Sequence, residues 1–202
     1  MGDGDHLTEG LNEQTAAPLH AAMSLDGDRE ALCRWITTRE AGVAVTASLT
    51  DLASGASRAR SARRRANLAL EADLDAAQRA TALYVRGTAD LLLGDSERAR
   101  RDLEEALSGA LETSLRPLAQ TNLAVVESRR GQHARARDLL QQVVGSPGAS
   151  AAARLDLGIL LEEHLGQPRE ALTHYQAYLD GPAPRRAAEV RQWVERLRRL
   201  YP

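Results

Sequence analysis

Several residue types are scarce or missing in this 202-residue chain, and each gap excludes a class of protein. Phenylalanine and lysine are absent, aromatic residues make up 3% of the chain, and Cys33 is the one cysteine. A single cysteine excludes an intramolecular disulfide framework and leaves the compartment open. No apolar run approaches the roughly 20 residues that a membrane-spanning helix requires. Because aromatic residues are so scarce, the core must be built from Leu, Ala and Val.

The remaining composition favours a helical protein with no global attraction to polyanions. Glycine, proline and β-branched residues are too sparse for a strand-rich chain, so we predict an all-α fold. The net charge of −2 gives no overall pull toward nucleic acid or an anionic membrane. The acidic start, Met1 to Asp5, is unlike a signal peptide. The sequence leaves two localisations open: cytoplasmic, or periplasmic and outer-membrane-associated if a leader was removed and Met1-Gly2 is not native.

A nine-residue pattern recurs four times along the chain. The copies begin at Ala62, Ala99, Ala136 and Ala171, so successive copies start 37, 37 and 35 residues apart. Self-similarity at a period of about 20 to 50 residues is typical of proteins built from stacked repeats. We therefore expect one structural unit per copy.

Each unit has the pattern of two amphipathic helices joined by a glycine turn. In the clearest copy, Leu83, Gly87 and Leu91 share one helix face, and Gly94 is suited to a left-handed cap. The third copy has one extra residue between its two glycines, Gly158 and Gly166, which predicts a small distortion of its first helix. Along the chain we predict a disordered N-terminus (1–10), a degenerate helical-pair region (11–78), three repeats (79–182) and a C-terminal capping helix (183–202).

The pattern resembles the tetratricopeptide repeat (TPR). The similarity depends on Leu-x-x-x-Gly followed by Gly-Asp-x-x-x-Ala over residues 83–99, and on related residues around Gly131 and Gly166. It covers residues 79–182 well and 43–78 weakly, and the family's early Trp is missing. The resemblance implies a right-handed α-solenoid of helix-turn-helix pairs. Close helix approach then predicts that small residues face each other: Gly87 with Ala99, Ala124 with Ala136, and Gly158 with Ala171.

In this family the first helices line a concave groove that binds a partner. The resemblance maps eleven residues to that groove: Tyr84, Thr88, Leu91, Leu118, Thr121, Asn122, Val125, Arg129, Leu155, Ile159 and Glu162. The family's carboxylate clamp needs basic residues beside Asn, and only Asn122 is in place. An apolar peptide or amphipathic helix would suit the strip better. The alternative, equally weighted, is that several of these residues pack between neighbouring repeats or against the N-terminal segment.

Other residue groups have simpler explanations than catalysis or ligand binding. The cluster from Arg58 to Arg65 has no interleaved aromatics, so a solvated helix face is favoured over a nucleic-acid site. His164 and His174 have no partner at zinc-ligand spacing, and no orienting motif accompanies Cys33. The chain has no phosphate-binding loop or nucleophile elbow. We therefore expect no enzymatic activity, no cofactor and no metal.

The sequence favours a scaffold or adaptor that binds a peptide or helical segment of another protein in the groove. The alternative is a bacterial envelope lipoprotein, pilotin-like, that assists assembly of a secretin, a pilus or a gliding machinery. Contact with a membrane is expected only if the precursor is lipidated. A third class, a regulator that touches nucleic acid through the arginine cluster, predicts binding that weakens steeply with salt.

Overall fold

The computed structural model describes Val45 and residues 58–146, 151–181 and 186–202. The regular structure of these ranges is helical: α1 (Ala59–Leu70), α2 (Ala76–Leu93), α3 (Ser96–Ser108), α4 (Arg116–Arg129), α5 (His133–Val144), α6 (Ala151–Glu163), α7 (Pro168–Leu179) and α8 (Ala187–Leu200). Val45 is also helical. The predicted disorder of 1–10 and most of the degenerate helical-pair region before residue 58, including Cys33, lie outside the described residues.

The helices are arranged as hairpins stacked in chain order. Each described helix contacts the helices before and after it, and α2 also contacts α4, as α4 contacts α6. This order makes α2, α4 and α6 the first helices of three hairpins and α3, α5 and α7 the second helices. The predicted all-α array of TPR-like hairpins is therefore confirmed. At the C-terminal end of the array, α8 packs on α7.

Glycines in the left-handed region close the three hairpins. Gly94, Gly131 and Gly166 have φ of +89°, +78° and +63°, which residues with a Cβ rarely adopt. In the first hairpin, Gly94 N–H donates to Leu91 O and Asp95 N–H donates to Asp90 O, satisfying carbonyls at the end of α2. The Asp95 side chain then accepts from Arg98 N–H and begins α3.

The extra residue of the third hairpin is accommodated after α6, at the turn. The helix ends at Glu163, and His164 and Leu165 precede Gly166, whereas Leu93 of α2 directly precedes Gly94. Leu165 N–H donates to Leu160 O at 3.1 Å, and Gln167 N–H donates to Leu161 O at 2.8 Å. The expected distortion therefore lies at the C-terminal end of α6 and leaves the rest of the helix regular.

Small residues on the second helices allow the hairpins to close. Ala99, Ala136 and Ala171 are each fully buried. A Cβ added to Gly87 would lie 3.0 Å from Leu103 Cγ and 3.2 Å from Ala99 O, so the expected Gly87–Ala99 approach is present.

The third hairpin differs from the expected pairing. The nearest atoms to a Cβ on Gly158 would belong to the Tyr175 ring, at 2.6 Å, and not to Ala171. Tyr175 lies one helical turn beyond Ala171 and is the largest fully buried side chain among the described residues. Its ring fills the space that the missing Gly158 side chain leaves.

Two apolar clusters make up most of the core. One joins α1, α2 and α3 to α4, and the other joins α4 to α5, α6, α7 and α8. Leu139, half-buried on α5, packs against both clusters.

The last helix, α8, covers the end of the second cluster. Val190, Val194 and Leu197 are buried, and Trp193 is half-buried beside the Tyr175 ring, with centroids 5.4 Å apart. The Arg186 guanidinium lies over the Trp193 ring at 5.0 Å. Trp193 therefore packs within the array.

Candidate partner-binding groove

By analogy with the family's groove, we call α2, α4 and α6 the inner helices and α3, α5 and α7 the outer helices. The inner helices carry all eleven of the residues that the sequence maps to the groove, but many of these residues are buried. Five are buried: Tyr84, Thr88, Leu91, Thr121 and Leu155. Four are half-buried: Asn122, Val125, Ile159 and Glu162. The two exposed ones are Leu118 and Arg129. Packing between repeats thus occupies about half of the expected set.

Asn122 joins two repeats. Its Nδ2 donates to Thr88 Oγ1 at 2.9 Å, which links α4 to α2. Thr88 also bonds with the side chain of Tyr84, and this bond partly offsets the increase that burial causes in the pKa of Tyr84. The side chain that a carboxylate clamp would use is therefore engaged within the array.

Arg129 and Glu162, expected as charged groups at the groove margin, also have partners in the chain. Arg129 Nη1 donates to Leu91 O at 3.0 Å, at the C-terminal end of α2. Glu162 accepts from Tyr175 Oη at 2.9 Å and from Arg196 of α8. Glu162 consequently holds α6, α7 and α8 together, and its carboxylate has little remaining capacity for a partner.

The accessible apolar surface on α2 lies one residue away from the predicted position. Leu91 is 6% exposed and belongs to the core, whereas Leu92 is 45% exposed. Leu92 follows Tyr84 and Thr88 at the i+8 and i+4 spacing of one helix face. On α4, Leu118 is 44% exposed. Two accessible leucines therefore lie on neighbouring inner helices.

A cavity of about 170 Å³ lies between α4 and α6. Val125, Arg129 and Ile159 of the predicted set line it, so the structure brings these three together. Its other lining residues, which the sequence analysis did not select, are Ala124, Ser128, Leu140, Asp156, Leu160 and His164.

Asp156 is the unusual member of this cavity. It is half-buried, and no other described residue forms a hydrogen bond or an ion pair with its carboxylate. Burial raises the pKa of Asp156 to about 6, and Arg186 opposes the increase at longer range. The sequence carried one signal, an aspartate between the apolar Leu155 and Leu157, both of which are buried.

The polar residues of the cavity are not hydrogen-bonded to one another in the described part of the chain. Ser128, Asp156 and His164 all line it, but within the described residues no hydrogen bond joins any two of them. Instead, the His164 ring stacks on His133 of α5, with centroids 4.4 Å apart and planes 6° apart. A nucleophile, a base and an orienting acid would need direct contacts. The described ranges also hold no cluster of three or more potential metal ligands.

A larger cavity of about 460 Å³ lies where α1, α2 and α3 meet, and its charges are largely paired. Arg86 binds Asp102 through two bonds of 2.6 and 2.8 Å, and Arg63 lies 3.3 Å from the buried Asp90. Burial raises the pKa of Asp90, while the bond from Arg63 opposes the increase. Arg63 belongs to the arginine cluster considered for nucleic acid, and here its charge is directed at a carboxylate.

Comparisons with known proteins support the fold. No protein-family model and no curated protein matches the chain. The crystal structure of MamA protein is similar, with a TM-score of 0.56 and 17% sequence identity, over 81% of this chain and 86% of MamA. At this identity the likeness concerns the fold. In the described ranges, no helix is both long and apolar enough to span a membrane.

Proposed function

We propose that this chain is a non-enzymatic adaptor that binds a peptide or helical segment of another protein along α2, α4 and α6. The observation that carries the proposal is the pair of accessible leucines, Leu92 and Leu118, on neighbouring inner helices. Val125 and Ile159 add apolar side chains at the cavity between α4 and α6. An amphipathic helix laid across such a surface would bury its apolar face there.

The outer helices offer a different surface. Ion pairs connect Glu97 and Glu104 of α3 to Arg130, which follows α4, and to Arg135 of α5. The same two arginines bind Glu127 of α4, whose side chain is fully buried. These charges neutralise one another across two hairpins. The outer face therefore contributes to holding the repeats together, which leaves the inner face for a partner.

Capture of partners from the native organism tests the proposal with a matched pair of variants. Leu118→Glu places a charge on the inner face, whereas Leu68→Glu changes a leucine of α1 that is more exposed, at 59% against 44%. We expect the L118E variant to lose a partner that the L68E variant and the unchanged protein retain, with all three folded by circular dichroism. Equal recovery by both variants would refute binding at the inner face.

The narrower hypothesis of a pilotin-like envelope-assembly factor concerns the identity of the partner. Recovery of a secretin, a pilus component or a gliding component in the same experiment would favour it. A partner that dissociates steeply with salt and is removed by nuclease would instead indicate nucleic acid.

A further inference from the structure

We propose that the cavity between α4 and α6 binds a basic side chain of the partner segment, with Asp156 as its counter-ion. This inference rests on the adaptor function proposed above and specifies the chemistry of the partner. The cavity combines apolar walls, from Val125, Ile159 and Leu160, with one carboxylate that is not paired with any described residue. A lysine or arginine side chain has the matching form, an aliphatic stem with a cationic tip.

Arg129 lines the cavity and Arg186 lies near it, but each is bonded to a group other than Asp156. Arg186 binds Glu189 through bonds of 2.7 and 2.6 Å and lies over the Trp193 ring. Arg129 donates to the carbonyl of Leu91 at the C-terminal end of α2, where the helix dipole is negative. Neither forms an ion pair with Asp156. The Asp156 carboxylate therefore has no ion-pair partner among the described residues.

Other buried or half-buried acidic side chains of the described hairpins have cationic partners. Asp102 receives two bonds from Arg86, and the buried Glu127 lies within 3.2 Å of two arginines. Glu162, on the same helix as Asp156, has both Tyr175 and Arg196. Among the buried and half-buried carboxylates of the described residues, Asp156 is the exception, and it lines the cavity between α4 and α6. An external cation would complete the pattern.

The test uses a small mimic of the side chain, so it needs no identified partner. Butylammonium and its neutral analogue n-butanol are titrated into the protein, and amide shifts around Val125, Ser128 and Ile159 are followed by NMR. We expect saturable shifts with butylammonium and much smaller ones with n-butanol. Asp156→Asn should weaken the amine at least about tenfold, the factor that corresponds to roughly 1.4 kcal/mol.

Glu163→Gln is the matched control, because Glu163 is exposed on the same helix and does not line the cavity. The E163Q variant should bind butylammonium with the same affinity as the unchanged protein. Equal responses to the amine and the alcohol, or unchanged amine binding in the D156N variant, would overturn the proposal. Such a failure would leave the adaptor function standing, because partner capture with L118E is measured separately. Equal partner capture by L118E and L68E with intact amine binding would instead remove the adaptor function, and with it the assignment of this cation site to a partner segment.

Discussion

The Tyr175 ring of α7 lies directly on the backbone of Gly158 in α6, so close that a Cβ on Gly158 would fall 2.6 Å from Tyr175 Cε1. The ring cannot easily move away, because the residue is 1% exposed and its hydroxyl donates to Glu162. The glycine is therefore a requirement of packing in the third hairpin.

Gly158→Ala should destabilise the protein by about 1–3 kcal/mol, since one added methyl group overpacks a filled site. Thermal unfolding followed by circular dichroism measures the change. Gly109→Ala is the control: its added Cβ would find its nearest contact at an ordinary 3.4 Å, from Glu105 O. An unchanged melting temperature for the G158A variant would contradict the described contact.

Ala136→Leu should also lower the melting temperature clearly. Ala136 is fully buried where α5 meets α4, so the larger side chain would force the hairpin apart at about 1–3 kcal/mol. Ala134→Leu changes an exposed position two residues earlier and should leave the melting temperature nearly unchanged. If the two variants melt together, the close approach of α4 and α5 is wrong.

The Thr88–Asn122 hydrogen bond should contribute about 0.5–1.5 kcal/mol to folding. A double-mutant cycle with Thr88→Val and Asn122→Leu, measured by urea unfolding, gives the coupling between the two side chains. We expect the double variant to lose less stability than the sum of the losses in the two single variants, because each single change leaves one polar partner unsatisfied. A coupling energy near zero would mean that Asn122 is available for a ligand.

Asp156→Asn should stabilise the unbound protein at neutral pH. The pKa of Asp156 is raised from 3.8 to about 6 in the folded chain, so folding takes up protons between these values. Stability from this group is therefore fully present below about pH 4 and is lost as the pH rises through 6. The shift corresponds to at most about 3 kcal/mol at pH 7.5.

Urea unfolding of the D156N variant and the unchanged protein between pH 4 and pH 8 checks this linkage. The difference in unfolding free energy should grow with pH and level off above 7. A difference that is constant with pH would show that folding does not shift the pKa of Asp156, and one that favours aspartate at pH 7.5 would show a cationic partner in the unbound chain. The exposed Glu163→Gln should change stability by less than about 0.5 kcal/mol throughout.

The hairpins could be predicted from the sequence because their signals are local. Gly94, Gly131 and Gly166 mark turns that need a left-handed residue, and the buried alanines recur at a nearly fixed period. Both signals depend on neighbouring residues along one helix or turn. The order of stacking follows from them, since each hairpin needs an apolar neighbour.

The groove residues could be predicted only in part, because their exposure depends on how each helix is rotated. A shift of one residue turns a helical position by about 100°, enough to bury Leu91 and expose Leu92. Asp156 depends on the same rotation of α6. Glu162 is bonded to Tyr175 and Arg196 and is not free for a partner. Predicting this requires the arrangement of three helices, which the residue spacing within one helix does not contain.

Leu139 packs against both of the large apolar clusters of the described residues, which meet at this side chain. A stack of hairpins with this construction should bend most easily where the two clusters meet. The cavity with Asp156 opens beside this junction, with Val125 packed on the first cluster and Ala124 belonging to the second. A ligand in that cavity would contact both clusters at once and would therefore restrict bending between the hairpins on either side.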